Sequence, residues 1–173
     1  MNFDLQLLDV HWISYEDDPN DLCAHGRISL QIGSEIIADK NSLDIVVSST
    51  ALYLLRTINN DYKKEGYASQ LLPCCGHFFM ADSESHVSIM GCGNGIDWEI
   101  LHLPNNMVKH ISESGQEVTI DIEEYKKLVL DFADKVEEFY KTSKPKLIPE
   151  DDFAKSGYLT FWREWKALRA QWA

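Results

Sequence analysis

The sequence contains no hydrophobic run long enough to cross a membrane. Its longest uninterrupted apolar stretch, Ala51 to Leu55, is far shorter than the roughly 20 residues that a transmembrane helix needs. The first residues, Met1 to Asp4, carry neither the basic segment nor the apolar segment of a secretory signal. We therefore expect a cytoplasmic protein that does not span a membrane.

Cysteine is also scarce, and its placement argues against disulfides. The chain has four cysteines, and Cys74 and Cys75 are adjacent, where a bond between the two sulfurs would be strained. Disulfides persist in oxidising compartments, whereas a reducing cytoplasm keeps thiols free. We therefore expect thiols, in agreement with a cytoplasmic location.

Basic residues are outnumbered by acidic ones. Lysine and arginine total 16 against 28 acidic residues, so the formal net charge is −12. A field of this sign repels phosphate backbones and anionic membranes, so we expect neither nucleic acid nor a membrane as partner. The same field attracts a basic protein partner and raises its association rate, although many acidic proteins carry such a charge for solubility alone.

No internal repeat, low-complexity segment or long polar linker divides the sequence. Its 173 residues suffice for one domain with a sizeable core, and 45% hydrophobic with 25% charged residues is typical of globular chains. We predict a single domain over residues 1–173.

Alternating apolar residues predict β-strands near the start of the chain. From Phe3 to Ile13 the alternation changes phase at Leu7–Leu8, which indicates a strand with a bulge or twist. Arg27 to Ile32 alternates without interruption, and we expect it to pair antiparallel with the first strand. A third short strand is predicted from Leu43, Ile45 and Val47.

One helix and a series of hairpins are predicted next. Helix-start residues from Ser48 and apolar residues at helical spacing, ended by Gly66, predict a helix at about residues 49 to 65. Short connections between the later strands favour an antiparallel meander. The runs that alternate are His77 to Ala81, His86 to Met90, Ile96 to Leu103, Met107 to Ile111 and Glu117 to Ile122.

Two helices complete the predicted fold. Asp121 and Glu124 have capping-box spacing before a long apolar stripe that runs from Ile122 to Tyr140. The last segment carries an aromatic stripe, which we expect to pack in the core: Tyr158, Phe161, Trp162, Trp165, Leu168 and Trp172. Strands followed by helices predict an α+β domain in which an antiparallel, meander-rich sheet packs against about three helices.

Two cysteine-bearing loops contain the residues best suited to metal binding or catalysis. Zinc prefers thiolate and imidazole ligands, and neighbouring loops of a meander bring such groups together. The spacing argues against zinc, because adjacent cysteines point apart and Cys92 has no partner two to four residues away. The candidate metal ligands are Cys74, Cys75, His77 and Cys92.

A thiol hydrolase is a second chemical hypothesis for the same loops. Its nucleophile would be Cys92 or Cys75, with Asp97 orienting the base. No local sequence matches a nucleophile signature, and the candidate bases are His77, His86 and His102. We assign no catalytic residue and expect no cofactor.

Glycines in the second loop have a conformational explanation. We expect Gly91, Gly93 and Gly95 to supply positive φ angles for a tight connection. Their spacing does not match a dinucleotide fingerprint, and no helix follows them to bind a phosphate. The prediction is that these loops shape the backbone of a hairpin layer.

The chain resembles two groups of bacterial proteins. With its Cys74 to Phe78 segment, its Gly91 to Trp98 loop and its Tyr125 to Tyr140 helix, it resembles uncharacterised single-domain proteins. In size, acidity and strands-then-helices order it looks like the immunity proteins of polymorphic toxin systems, which bind and block a toxin in the producing cell. That likeness implies an acidic surface complementary to a basic toxin domain. It assigns no functional role to any particular residue of this chain.

The hypothesis that follows is a non-enzymatic protein-binding domain, such as a toxin-neutralising immunity protein. The alternative is a zinc-binding or thiol-dependent enzyme centred on Cys74, Cys75, His77 and Cys92.

Overall fold

The computed structural model describes residues 2–64, 70–74 and 78–172. Within those ranges the chain folds into eight strands and three helices, in an order that confirms the predicted α+β class. The strands form three antiparallel sheets of three, two and three strands, whereas we expected a single sheet, and within each sheet the strands follow one another in chain order.

The first sheet joins β1 (Asn2–Leu7), β2 (Ile28–Gly33) and β3 (Glu35–Ala38). β1 and β2 pair antiparallel as predicted, with Leu5 opposite Leu30. Beyond Leu7 the regular ladder stops: the Leu8 and Asp9 amides both donate to the Arg27 carbonyl, and pairing resumes at an isolated bridge between His11 and His25. This irregularity accounts for the change of phase in the sequence.

The predicted third strand, at Leu43, Ile45 and Val47, is wrong. Only Ile45 pairs there, in an isolated bridge to Gly26, and Val47 begins a helix. The third strand is instead β3, which follows β2 after a tight turn at Gly33, whose φ of 63° is one that glycine adopts without strain. The sequence of β3, EIIA, does not alternate between apolar and polar residues, and Ile36 is 67% exposed, so periodicity did not predict this strand.

The remaining strands follow the predicted hairpins. β4 (Phe78–Ala81) pairs with β5 (Val87–Met90), and the meander continues separately through three longer strands. These are β6 (Trp98–Leu103), β7 (Met107–Ser112) and β8 (Glu117–Asp121).

Three helices cover the sheets: α1 (Val47–Thr57), α2 (Ile122–Thr142) and α3 (Asp152–Ala170). α1 lies between the other two helices and is almost entirely buried. It ends well before the predicted boundary, because Tyr62 bridges to Ile100 at the edge of β6 and the chain is extended there. Gly66, the predicted stop, lies outside the described residues.

The aromatic stripe of α3 packs in the core as predicted. Tyr158, Phe161 and Trp165 are buried, while Trp162 and Trp172 are partly buried at its margin. The predicted N-cap of α2 is also confirmed, since the Asp121 carboxylate accepts a hydrogen bond from the Glu123 amide at 2.8 Å. No helix within the described residues is long and apolar enough to cross a membrane.

Candidate functional site

The two cysteine-bearing segments lie side by side, as the meander predicted. Leu72 and Ile96 exchange two backbone hydrogen bonds of 3.0 Å. The Gln70 side chain reinforces this contact by donating to the Gly93 carbonyl at 3.0 Å and accepting from the Gly95 amide at 2.6 Å. A single glutamine therefore joins the segment before Cys74 to the loop that follows Cys92.

Glycine is required in this loop for a reason that differs from our prediction. Among the described residues, the glycines with positive φ are Gly33 and Gly115, so Gly91, Gly93 and Gly95 do not supply that conformation. A Cβ atom on Gly95 would instead lie 2.4 Å from the Gln70 Oε1 atom and 2.4 Å from the Leu72 carbonyl oxygen. Gly95 allows close approach of two backbones.

Asp97 organises the same junction from inside the protein. Its side chain is 2% exposed and accepts hydrogen bonds from the Leu71 amide at 3.2 Å and from the Tyr62 hydroxyl at 2.9 Å. Burial raises the pKa of this carboxyl group, against the effect of these hydrogen bonds. These contacts give Asp97 a structural role at the place where we considered it as the group that orients a catalytic base.

Two of the histidines considered as general bases, His86 and His102, have hydrogen-bond partners elsewhere in the protein. His86 Nδ1 lies 3.0 Å from Asp82 Oδ2 in the β4–β5 hairpin. His102 Nδ1 lies 3.0 Å from Asp61 Oδ1, and its Nε2 lies 3.1 Å from the Ile58 carbonyl oxygen. These partners hold the loop after α1 against β6.

The candidate metal ligands are only partly within the described residues. Cys74 and Cys92 are half-buried, whereas Cys75 and His77 lie outside the ranges described. In the described part of the chain, no three His, Cys, Asp or Glu side chains are grouped as a metal site requires.

A different surface brings together features suited to protein binding. Three segments contribute residues 20–23, 78–79, and 149 with 153–154 to the lining of an open pocket of about 250 Å³. We call it the phenylalanine surface and define it by Phe78, Phe153 and Pro149 at its sides and Leu22 with Cys23 at its base.

Phe78 and Phe153 are the prominent side chains of the phenylalanine surface. Phe78 is 68% exposed and Phe153 is 53% exposed. Neighbouring Phe79 points the other way, into the core, where it stacks on Phe161 with ring centroids 4.9 Å apart. Apolar side chains this exposed and this close together are typical of interaction surfaces.

Close packing of α3 on β4 fixes the position of both phenylalanines. A Cβ atom on Gly157 would lie 1.8 Å from the Phe79 carbonyl oxygen, so only glycine fits where the helix crosses the strand. Phe78 on the strand and Phe153 in the first turn of the helix are thereby held on either side of one depression.

The base of the phenylalanine surface is anchored by Tyr140 of α2. Its hydroxyl donates to the Leu22 carbonyl at 2.7 Å and accepts from the Ala24 amide at 3.1 Å. Burial raises the pKa of the Cys23 thiol to about 12, with a smaller contribution from the charge of Asp21. Cys23 is therefore a protonated, unreactive part of the pocket wall.

Acidic residues lie in the lining of the phenylalanine surface and next to it in the chain. Asp21 lines the pocket, and exposed acidic residues occupy positions 150–152, between Pro149 and Phe153. Asp151 caps α3 by accepting from the Ala154 amide at 2.9 Å. Lys155, the next basic residue along the chain, is two positions beyond Phe153 and so faces another side of the helix. We call the following residues the acidic rim, because Asp21 lines the pocket and the other three lie in the chain between the lining residues Pro149 and Phe153: Asp21, Glu150, Asp151 and Asp152.

Our sequence reasoning missed this surface, although one signal was present. Phe78 and Phe79 are adjacent in a predicted strand, where successive side chains point to opposite faces, so one ring had to leave the core. Phe153 gave a similar signal, because it lies off the aromatic stripe of its helix.

Comparison of the chain with protein-family models, with curated proteins and with solved structures finds no match.

Proposed function

We propose that this protein is a non-enzymatic binding domain that captures a basic protein at the phenylalanine surface. The observation that carries the proposal is the pair of exposed rings, Phe78 and Phe153, on either side of a pocket with an acidic rim. The partner that fits is a protein with a basic surface and a protruding apolar side chain.

Exposed aromatic rings supply the affinity in this proposal. Burying a phenylalanine side chain contributes about 1.5–3 kcal/mol, and interface energy concentrates in a few such anchors. The close contact of α3 with β4 fixes the backbone that carries Phe78 and Phe153, so the two elements need not rearrange when the rings are covered.

The acidic rim supplies selectivity and a fast association rate. Positions 150–152 are exposed acidic residues, and the whole chain has a net charge of −12. Complementary charge steers a basic partner towards the site and disfavours acidic competitors. Because surface charges are screened by salt, the association rate is expected to fall as ionic strength rises.

Within this binding function, the biological role that we favour is neutralisation of a toxin. Three features support this role: the acidity of the chain, its α+β order and a preformed apolar surface. The first two are shared with immunity proteins at the level of composition and fold.

Affinity capture from the native host, followed by mass spectrometry, tests the binding proposal. The wild type is compared with Phe78→Ser/Phe153→Ser and with Glu150→Gln/Asp152→Asn, which change exposed side chains. We expect a protein with a basic surface to be retained by the wild type, lost from the phenylalanine variant, and retained less at higher salt by the charge variant.

Matched control variants distinguish binding at the phenylalanine surface from non-specific binding to exposed apolar or acidic residues elsewhere on the protein. Ile36→Ser removes an equally exposed apolar side chain on β3, and Glu123→Gln/Asp131→Asn removes two exposed charges on α2. Both are expected to retain the partner. Absence of any specific partner at low and moderate salt, or equal loss from the Ile36→Ser control, would refute the proposal.

The toxin-neutralising role has a separate test. The captured partner is expressed alone and together with this chain, and growth is compared. Toxicity that wild-type protein relieves and Phe78→Ser/Phe153→Ser does not relieve would support the role. A captured partner that is harmless when expressed alone would leave a binding protein that is not an immunity protein.

A further inference from the structure

A second pocket lies between α2 and α3, and Tyr140, whose hydroxyl anchors the base of the phenylalanine surface, is one of its lining residues. It has a volume of about 460 Å³, within the range of roughly 300–1,000 Å³ that small-molecule sites occupy. We call it the tryptophan groove, after Trp162, Trp165 and Trp172, which form most of its apolar wall.

The walls of the tryptophan groove are held in place by packing and hydrogen bonding. Trp162 and Trp165 have ring centroids 5.5 Å apart, and Trp162 meets the Tyr140 ring edge-on at 4.8 Å. The Trp165 indole N–H donates to Glu137 Oε1 at 2.6 Å. The groove is therefore preformed, with aromatic faces available to a ligand.

Glu137 is the one acidic side chain that lines the groove, and its charge is neutralised. Besides the Trp165 hydrogen bond, the Glu137 carboxylate accepts from Arg169 Nε at 3.0 Å and lies 3.5 Å from Lys141 Nζ. Burial alone would raise the pKa of Glu137, yet the Trp165 hydrogen bond and these cations lower it below its ordinary value. The ionised carboxylate is satisfied by the protein.

Two lysines that line the groove have few carboxylate partners among the described residues. Lys141 has a side chain 67% exposed and only the loose contact to Glu137. Lys166 is exposed and takes part in none of the ion pairs found among the described residues. Arg169 is less available, because it binds both Asp134 and Glu137. The residues that line the groove therefore carry a net positive charge, although the whole protein is strongly acidic.

We propose that the tryptophan groove binds a small organic anion, with an aromatic or hydrocarbon body against Trp162 and Trp172 and a carboxylate or sulfonate at Lys141 and Lys166. An anion is favoured over a cation because three basic residues, Lys141, Lys166 and Arg169, line the groove against the single carboxylate of Glu137. The acidic remainder of the chain is screened at physiological salt beyond about 8 Å, so local charge decides.

The probe that tests this proposal is 8-anilinonaphthalene-1-sulfonate, and its matched control is N-phenyl-1-naphthylamine, which has the same rings without the sulfonate. We expect one sulfonate probe to bind per folded chain. The variant Lys141→Gln/Lys166→Gln should bind it about tenfold more weakly, the effect of losing two exposed charge contacts. Binding of the neutral probe should stay within twofold.

A second lysine pair on the same helices provides the control variant. Lys127→Gln/Lys155→Gln removes two exposed charges that do not line the groove, and it should leave both affinities unchanged. Circular dichroism checks that each variant is folded, because the sulfonate probe also binds partly unfolded chains.

The position of the probe is read from the indole N–H resonances in nitrogen-15 NMR spectra. Addition of the sulfonate probe should shift the signals of Trp162, Trp165 and Trp172, which line the groove, and leave in place that of Trp98, whose indole N–H donates to His110 outside it. Equal affinity in the Lys141→Gln/Lys166→Gln variant, unchanged groove signals, or displacement of the probe by dimerisation of the chain would overturn the proposal.

Discussion

Arg56 of α1 and Glu164 of α3 form a two-point ion pair between the helices, with Nε to Oε1 at 2.7 Å and Nη2 to Oε2 at 2.9 Å. Both groups also bind β5, because the Arg56 guanidinium donates to the Val87 carbonyl and the Glu164 carboxylate accepts from the Val87 amide. With its side chain 7% exposed, Glu164 has little access to water. One pair therefore joins two helices and a strand.

Removing one partner of this pair should be strongly destabilising. We expect Glu164→Ala to lower the free energy of unfolding by about 3 kcal/mol, because the Arg56 charge remains with little solvent. Urea denaturation measures the change. The control is Asp131→Ala, which breaks the exposed pair with Lys135 and should cost less than about 0.5 kcal/mol. Equal costs would contradict the structural role of the buried pair.

His110 should make stability depend on pH. Its ring is buried, stacks on Phe3 with centroids 3.8 Å apart, and accepts a hydrogen bond from the Trp98 indole at 3.2 Å. Burial lowers the pKa of His110 from 6.5 to about 3, with a smaller effect from His102. Between pH 3 and 6.5, His110 therefore binds a proton in the unfolded chain but not in the folded chain.

The sign of this effect follows from proton binding. The stabilising contribution is complete above the unfolded pKa of 6.5 and is lost as pH falls towards about 3, by roughly 1.4 kcal/mol per pH unit well below 6.5. Denaturation of the wild type and of His110→Phe between pH 5 and 6.5 measures the slope. Identical slopes in the two proteins would show that His110 does not titrate this way.

Gly157 should tolerate no side chain. A Cβ atom there would meet the Phe79 carbonyl oxygen at 1.8 Å, so Gly157→Ala must push α3 away from β4. We expect a loss of about 3 kcal/mol in unfolding free energy, despite the better helix propensity of alanine. Ser156→Ala, at the exposed neighbouring position, is the control and should be neutral or slightly stabilising. A neutral Gly157→Ala variant would refute the close crossing.

Tyr140→Phe should loosen the base of the phenylalanine surface. The substitution leaves the Leu22 carbonyl and the Ala24 amide without their partner, which costs about 2 kcal/mol. We also expect faster thiol labelling of Cys23, measured by peptide mass spectrometry. Tyr15→Phe is the control, since Tyr15 is 74% exposed. Unchanged labelling of Cys23 would show that another contact holds the segment.

The metal-dependent alternative has a direct test. Protein purified without chelator should contain zinc well below one atom per chain by elemental analysis, because the ligand spacing does not fit a structural zinc site. Stoichiometric zinc that is lost from Cys74→Ala and His77→Ala variants would contradict this expectation. Such a result would favour the enzyme hypothesis over the binding proposal.

Much of the candidate site depends on long-range contacts that no sequence pattern contains. Phe78 and Phe153 were recognisable as rings outside the core, but their convergence requires β4 to cross α3 at Gly157. The acidic residues at 150–152 were visible only as composition until the structure brought their neighbours Pro149 and Phe153 to the same pocket as Leu22. The tryptophans were identified as an aromatic stripe, and the groove beside them was not foreseen.

Local periodicity by itself determined β4 to β8 and both long helices, because alternation and helical spacing are properties of neighbouring residues, and short turns force consecutive strands into antiparallel pairs. Tertiary structure decided the rest. α1 stops at Thr57 because Tyr62 pairs with Ile100, and β3 forms at Glu35–Ala38 because β2 supplies a partner across Gly33. These choices depend on contacts between segments far apart in the chain, whose energies local sequence does not encode.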